Sequence, residues 1–275
     1  MNQQKRVEIA NNTLEILNRG AYINKDGISI ELRELQQFAV THTKLYTPDQ
    51  LDDLVTVIPA ARFETKFEVE NETTLDAARR LVNEGEADPL CLNFASAKNP
   101  GGGFLGGALA QEECIARASG LYPCLLQAPG YYQYHRSVRP TLLYSDHMIY
   151  SPKVPVIKDE DGELLDAPVC TSIITSAAVN AGAIATNERS SLEKIIATME
   201  TRIDKLLALC LHNKHEALVL GAWGCGVFHN DPEDISRIFR DALDGKYKGQ
   251  FKRVVFAVKT NKESIIEPFR KRFAK

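Results

Sequence analysis

The sequence predicts an α/β fold with a mixed, mostly parallel central sheet. Short apolar runs (Leu90 to Ala95, Val169 to Ala178, Ala217 to Leu220) alternate with longer amphipathic stretches. That is the pattern of strands covered on both faces by helices. Two of the runs lead into glycine-rich loops, beginning at Gly101 and at Gly221, each followed by a helix. Loops at the carboxyl ends of strands are where such sheets hold their ligands.

Residues 5–19 place Val7, Ile9, Ala10, Leu14, Ile16 and Leu17 mostly at helical spacing, and Gly20 fits the left-handed position that closes a helix. A-Y-I-N-K-D-G-I-S-I-E-L, two β-rich runs joined by Asn24 to Gly27, reads as a hairpin. Short helices near Arg33 to Ala39 and Pro48 to Leu54 follow. Residues 1–62 are therefore expected to form an accessory helical segment with a hairpin, and residues 63–275 the main domain. Phe63 to Glu70 reads as a strand and Thr74 to Asn83 as a helix capped by Thr73 or Thr74. Leu90 to Ala95 is the first buried strand, and Gln111 to Gly120 the helix beyond its loop.

A tyrosine-rich stretch, Tyr131 to Arg136, precedes two strand pieces, Met148 to Pro152 and Lys153 to Ile157, arranged around a proline bend. Lys158 to Glu163 reads as an exposed turn. Val169 to Ala178 is the second buried strand, Ser191 to Leu211 a long amphipathic helix and Ala217 to Leu220 the third buried strand. Pro232 to Leu243 is a helix with Asp231 as its cap and proline in its first turn. Val254 to Val258 is a strand and Ser264 to Phe273 the closing helix.

Composition narrows the function. The 275 residues carry 33 basic and 36 acidic side chains, a net charge of -3. A broad electrostatic grip on nucleic acid needs a basic excess, so sequence-specific nucleic-acid binding is not expected. No apolar run approaches the length of a membrane span, and the first residues lack the apolar stretch of a signal peptide. Six scattered cysteines without a C-x-x-C pair read as reduced, buried thiols of a cytoplasmic protein. His212 and His215, three apart near a helix end, read as a solvated terminus in preference to a metal pair.

The segment N-F-A-S-A-K-N-P-G-G-G-F-L-G-G-A-L-A-Q-E-E, Asn93 to Glu113, places five glycines within Gly101 to Gly107 and ends in two carboxylates at a helix start. Glycines let backbone N–H groups approach a ligand, and a helix N-terminus adds donors and a positive dipole end, which together suit a phosphate-bearing ligand. Glu112 and Glu113 complement that dipole as a first-turn acidic pair. Beside an anion they also suit chemistry on a neutral part of the same ligand. Adjacent helical residues point about 100° apart, so one carboxyl faces the reacting bond and the other orients a hydroxyl. Cleavage of a glycosidic bond needs an acid for the leaving oxygen and a base for water, and one carboxyl can serve both in turn.

The second loop, L-G-A-W-G-C-G-V-F-H-N-D-P, Leu220 to Pro232, is either a tight strand-to-helix connection or a second phosphate cradle; two such loops on one sheet favour the cradle, because a diphosphate needs donors on both sides. Neither loop carries the Gly-Lys-Ser/Thr ending of a P-loop or the spacing of a dinucleotide fingerprint. Phe228 is either a core aromatic or a wall against a sugar or base. Trp223 is expected in the core.

The run Gly101 to Gly103 followed by Gln111, Glu112 and Glu113 resembles the signature of poly(ADP-ribose) glycohydrolases in their compact bacterial form, and G-A-W-G-C-G-V-F resembles the same family's second loop. The resemblance covers roughly residues 64–273 and implies a macrodomain-like three-layer α/β/α sandwich. It implies cleavage of ribose–ribose O-glycosidic bonds in poly(ADP-ribose) or in ADP-ribosylated macromolecules, with ADP-ribose as product and neither metal nor cofactor. Glu113 matches the acid/base, Glu112 would hold polymer hydroxyls and Gln111 would support both. Asn93 and Asn99 would contact the ribose next to the scissile bond, and Ala95 would also belong to the substrate site. Gly101, Gly102 and Gly103, with Gly224, Cys225, Gly226, Val227 and Phe228, would wrap the diphosphate, with Phe228 against the ribose. No motif fixes the adenine-stacking residue; Tyr131, Tyr132 and residues after Val258 are candidates. A monomer is expected. The same fold would also suit a hydrolase of single ADP-ribose units or a non-catalytic ADP-ribose binder, although a binder has no need of the acid.

Overall fold

The computed structural model describes residues 1–137 and 141–274. In chain order these form α1 (Gln3–Arg19), β1 (Ala21–Ile23), β2 (Ser29–Glu31), α2 (Arg33–Thr41), β3 (Lys44–Tyr46), α3 (Pro48–Leu54), β4 (Lys66–Glu70), α4 (Thr74–Asn83) and β5 (Leu90–Phe94). After the first glycine loop come α5 (Gln111–Ala118), α6 (Leu121–Leu125), α7 (Pro129–Ser137), β6 (Met148–Lys158) and β7 (Leu164–Ser176). The chain continues through α8 (Ala181–Asn187), α9 (Ile195–His212), β8 (Ala217–Leu220), α10 (Pro232–Asp244), β9 (Arg253–Ala257) and α11 (Glu263–Phe273).

Seven strands make one sheet in the order β3-β6-β7-β5-β8-β9-β4. From β7 to β4 every pairing is parallel, while β6 runs antiparallel to both β7 and β3. The expected mixed, mostly parallel sheet is therefore present. Alternate residues of its central strands enter opposite cores. Leu90, Leu92, Leu218, Leu220, Val254 and Phe256 pack with side chains of α9, α10 and α11. Cys91, Val219 and Val255 pack on the other face with side chains of α4, α5 and α6. Apolar residues at every position, not at alternate ones, are what a sheet between two helical layers requires.

Local chemistry sets the element ends. Asn2 caps α1 by accepting from Lys5 N, and Gly20 ends it at φ +80° with its N–H on Ile16 O. Thr47 and Gln50 form a reciprocal capping box on α3, and Thr73 and Asp231 cap α4 and α10 as expected.

Four expectations are revised. The two strand pieces around Pro152 are one strand, β6, whose register shifts between Ser151 and Val154, with Lys153 at φ 49°. A bulge absorbs the proline without ending the strand. The long helix begins at Ile195, after a 3₁₀ stretch over Arg189–Lys194. Lys158, placed in an exposed turn, ends β6 at 1% exposure, with Nζ donating to Ile9 O and to Asn12 Oδ1. His215 is buried between Tyr150 Oη at 2.9 Å and Asp88 O at 3.1 Å, so it belongs to the core and not to a solvated end. From the front segment, β3 forms one edge of the sheet and α1 lies against the first glycine loop.

Candidate active site

The first loop leaves the carboxyl end of β5 and returns into α5, and Gln111 ties that helix start to the strand end. Its Oε1 accepts from Phe94 N at 2.8 Å, while Nε2 donates to Leu92 O at 2.7 Å and to Thr74 Oγ1 at 2.9 Å. With Gln111 fixed, the next two side chains diverge as helical geometry demands.

Glu112 turns inward and is 3% exposed. Its carboxyl accepts from Ser96 N at 2.6 Å and from Asn93 Nδ2 at 3.3 Å. Burial pushes it up to about 8; the donors on Ser96, Asn93 and Gly101 pull against that shift, and the neighbouring Glu113 adds to it. Glu113 turns outward, is half-buried, and accepts from Gly103 N at 3.0 Å through Oε1. The two carboxyls meet over Gly102, which has φ +59°. A Cβ there would lie 2.3 Å from Glu113 Oε1 and 3.2 Å from Glu112 Oε2, so only glycine lets the loop close on the acids.

Asn93, expected at the ribose, and Ala95, expected in the substrate site, are buried behind this pair. Asn93 is fully enclosed, and its Nδ2 holds both Glu112 and Thr175 Oγ1. Ala95 donates its N–H to Ser176 O at 3.1 Å. Asn99 is exposed and shapes the loop through its main chain, donating to Ser96 Oγ at 3.1 Å and accepting from Gly102 N at 3.0 Å.

The second loop leaves β8, the neighbour of β5, so the loops emerge side by side. They share an anchor: Ser176 O, at the end of β7, accepts from Ala95 N and, at 3.2 Å, from the indole Nε1 of Trp223, which is fully buried. Asn230 Nδ2 donates to Val179 O at 2.8 Å and to Gly224 O at 3.2 Å, which sets the loop's return. Gly226 and Val227 are exposed, and the N–H groups of Gly226, Val227 and Phe228 donate to no main-chain carbonyl among the described residues. Three donors so placed suit phosphate oxygens. Cys225, expected among them, is buried, with its N–H on Ala222 O.

Phe228 is half-buried with its ring 6.0 Å from that of Tyr144. The tyrosine sits at φ 58°, on a segment held by Arg202 through Leu143 O and Asp146. Nothing in the sequence around Tyr144 signals this; its neighbour in space is 84 residues away. Tyr131 and Tyr132, candidates for stacking adenine, are buried on α7 at 0% and 3% exposure, and Tyr131 Oη accepts from Ala177 N. Neither ring has a free face. Ser96 also escaped the sequence reading, because its contribution to Glu112 is a main-chain N–H.

The family model described as microbial-type PARG, catalytic domain, matches residues 10–159. The structure resembles that of poly(ADP-ribose) glycohydrolase from Thermomonospora curvata at 43% identity, with 98% of this chain and 100% of that chain covered and a TM-score of 0.94. The same enzyme bound to the inhibitor ADP-HPD matches with a TM-score of 0.92 at the same identity and coverage. The Deinococcus radiodurans enzyme in complex with ADP-ribose matches at 45% identity, over 89% of this chain and 99% of that one, with a TM-score of 0.84. No curated protein matches. With the glycine loop and its two glutamates in this arrangement, and with solved glycohydrolases aligned along nearly its whole length, the chain belongs to the family of microbial-type poly(ADP-ribose) glycohydrolases.

Proposed function

We propose that the protein hydrolyses the ribose–ribose O-glycosidic bond of poly(ADP-ribose) with Glu113 as general acid and then base. The observation that carries this reading is the divergence of the two acids. Glu113 is half-buried, with one oxygen tied to Gly103 N at 3.0 Å and the other without a hydrogen-bond partner among the described residues. Glu112 is enclosed and held by Ser96 and Asn93. One acid is built to face a ligand, the other to fix the wall behind it.

The diphosphate lies between the first loop and the N–H groups of Gly226, Val227 and Phe228. Phe228 and Tyr144 flank the distal ribose. Glu113 gives its proton to the departing ribose oxygen as the C1″–O bond breaks, and the adjacent phosphates stabilise the oxocarbenium ion. The carboxylate so formed takes a proton from water, whose oxygen bonds to C1″ and completes ADP-ribose. Glu112 stays protonated up to about pH 8 because it is buried. It therefore adds no charge beside the diphosphate.

The test is incubation with labelled poly(ADP-ribose) and, separately, with protein carrying single ADP-ribose units. Release of ADP-ribose from the polymer alone is the expected result. Release from the single-unit substrate alone would transfer the reading to a mono-ADP-ribosyl hydrolase.

A further inference from the structure

We infer that α1 is a latch on the catalytic loop, with Arg6 and Gln3 as positioning residues that hold the segment Gly103 to Ala108 and, through it, Glu113. This rests on the reading of Glu113 given above. Three side chains of α1 reach across about a hundred residues of sequence. Gln3 Nε2 donates to Gly106 O at 2.8 Å, Arg6 Nε donates to Gly107 O at 2.7 Å, and Thr13 Oγ1 donates to Arg117 O at 2.5 Å. The last tie reaches the far turn of α5, so the helix grips both ends of the acid-bearing unit. Ala10 packs with Phe104 and Ala116, all three buried. Gly107 lies so close under the first turn of α1 that a Cβ would stand 2.6 Å from Gln3 O and 2.9 Å from Gln3 Cγ.

Within the loop these contacts pass to Glu113 by main-chain bonds. Gly106 N and Ala108 N both donate to Gly103 O, at 3.0 and 3.2 Å, and Gly103 N donates to Glu113 Oε1. From the other side, Arg117 Nη1 donates to Ala108 O at 2.8 Å. Five glycines in seven residues have no side chains with which to order themselves and lose more conformational freedom than any other residue on being fixed. A guanidinium bonded to the main chain of such a segment supplies that order before substrate arrives. The charge-assisted bond from Arg6 is the strongest of the ties from α1.

The experiment compares wild type with Arg6→Ala, Arg6→Lys and Gln3→Ala, reading kcat and KM on poly(ADP-ribose), ADP-ribose affinity by calorimetry, and Tm. The latch requires Arg6→Ala to lower kcat by roughly tenfold, the scale expected when a catalytic group is misplaced by a fraction of an ångström. ADP-ribose affinity, shared with the second loop that α1 does not touch, falls by less than kcat, within about threefold, and Arg6→Lys recovers part of kcat. An unchanged kcat in Arg6→Ala overturns the inference, as does a fall in kcat that affinity and Tm follow in proportion. Should Arg6→Ala fail to fold, Gln3→Ala at the exposed first turn decides by the same criteria, with a smaller fall in kcat. Glu113→Gln in the same assays separates the two claims: if it keeps turnover the acid/base reading falls, whereas the latch is judged on the kcat of the Arg6 variants.

Discussion

Gly102 shows how much of the site is set by a missing atom. Both carboxyls crowd the place a Cβ would occupy, and the backbone there is left-handed. Gly102→Ala is expected to strain the loop by about 1–2 kcal/mol and to push Glu113 off its position, with kcat falling by about a hundredfold. Steady-state kinetics together with thermal unfolding check both. Glu112 makes the complementary prediction. Its folded carboxyl titrates near 8 against an ordinary 4.5, so between those values the folded state binds more protons than the unfolded state. Stability contributed by this residue is greatest below about pH 4.5 and falls as pH rises through the window. Glu112→Gln should therefore differ little from wild type at pH 5 and become more stable than it by pH 9, as measured by urea unfolding. At this scale the sequence was most legible where chemistry is contiguous: Gln111, Glu112 and Glu113 were read from one run of residues. The burial of Asn93 and Cys225 was not legible, because which way a side chain at a strand end or in a turn faces depends on partners such as Thr175 and the Ala222 main chain. Tyr144 could not be read at all, since only the fold brings it to Phe228.

Where α1, α3, α4 and α10 start from side-chain caps, α5 has none and depends on Gln111 instead. Gln111→Ala removes three hydrogen bonds and leaves Phe94 N and Thr74 Oγ1 without a partner from α5. It should cost roughly 1–3 kcal/mol in chemical denaturation and lower kcat as the helix start loosens from β5. Boundaries of α4 and α10 were legible because Thr73 and Asp231 are local signals. β3 was not: its three residues pair with Met148 to Tyr150, about a hundred positions away, and no local pattern marks them. Lys158 misled for the same reason. A lysine before Asp-Glu-Asp-Gly reads as solvated, yet its ammonium is enclosed against α1, where burial pushes it down to about 8.

At the scale of the molecule, the sheet order makes the site. β5 and β8 are neighbours, so their two loops open together, and both fasten to the one carbonyl of Ser176 at the end of β7. The alternation of apolar strands and helices was enough to read the class of fold, and the paired loops enough to read a phosphate-bearing ligand. The role proposed for the front segment was not, because the ties from α1 to the catalytic loop and α5 are to residues beyond position 100. The proposed pair of cradles would hold ADP-ribose without needing the proton of Glu113, so on this proposal binding and turnover are separable. ADP-ribose at a hundred times its Kd should stabilise the fold by about 2.7 kcal/mol, in wild type and in Glu113→Gln alike. The decisive measurement is therefore made on Glu113→Gln: release of ADP-ribose from poly(ADP-ribose) alongside calorimetric affinity for ADP-ribose. Turnover lost by at least a thousandfold, on the order of 4 kcal/mol of transition-state stabilisation, with affinity retained, is the result predicted. Near-normal turnover, or affinity lost in step with it, would contradict the account.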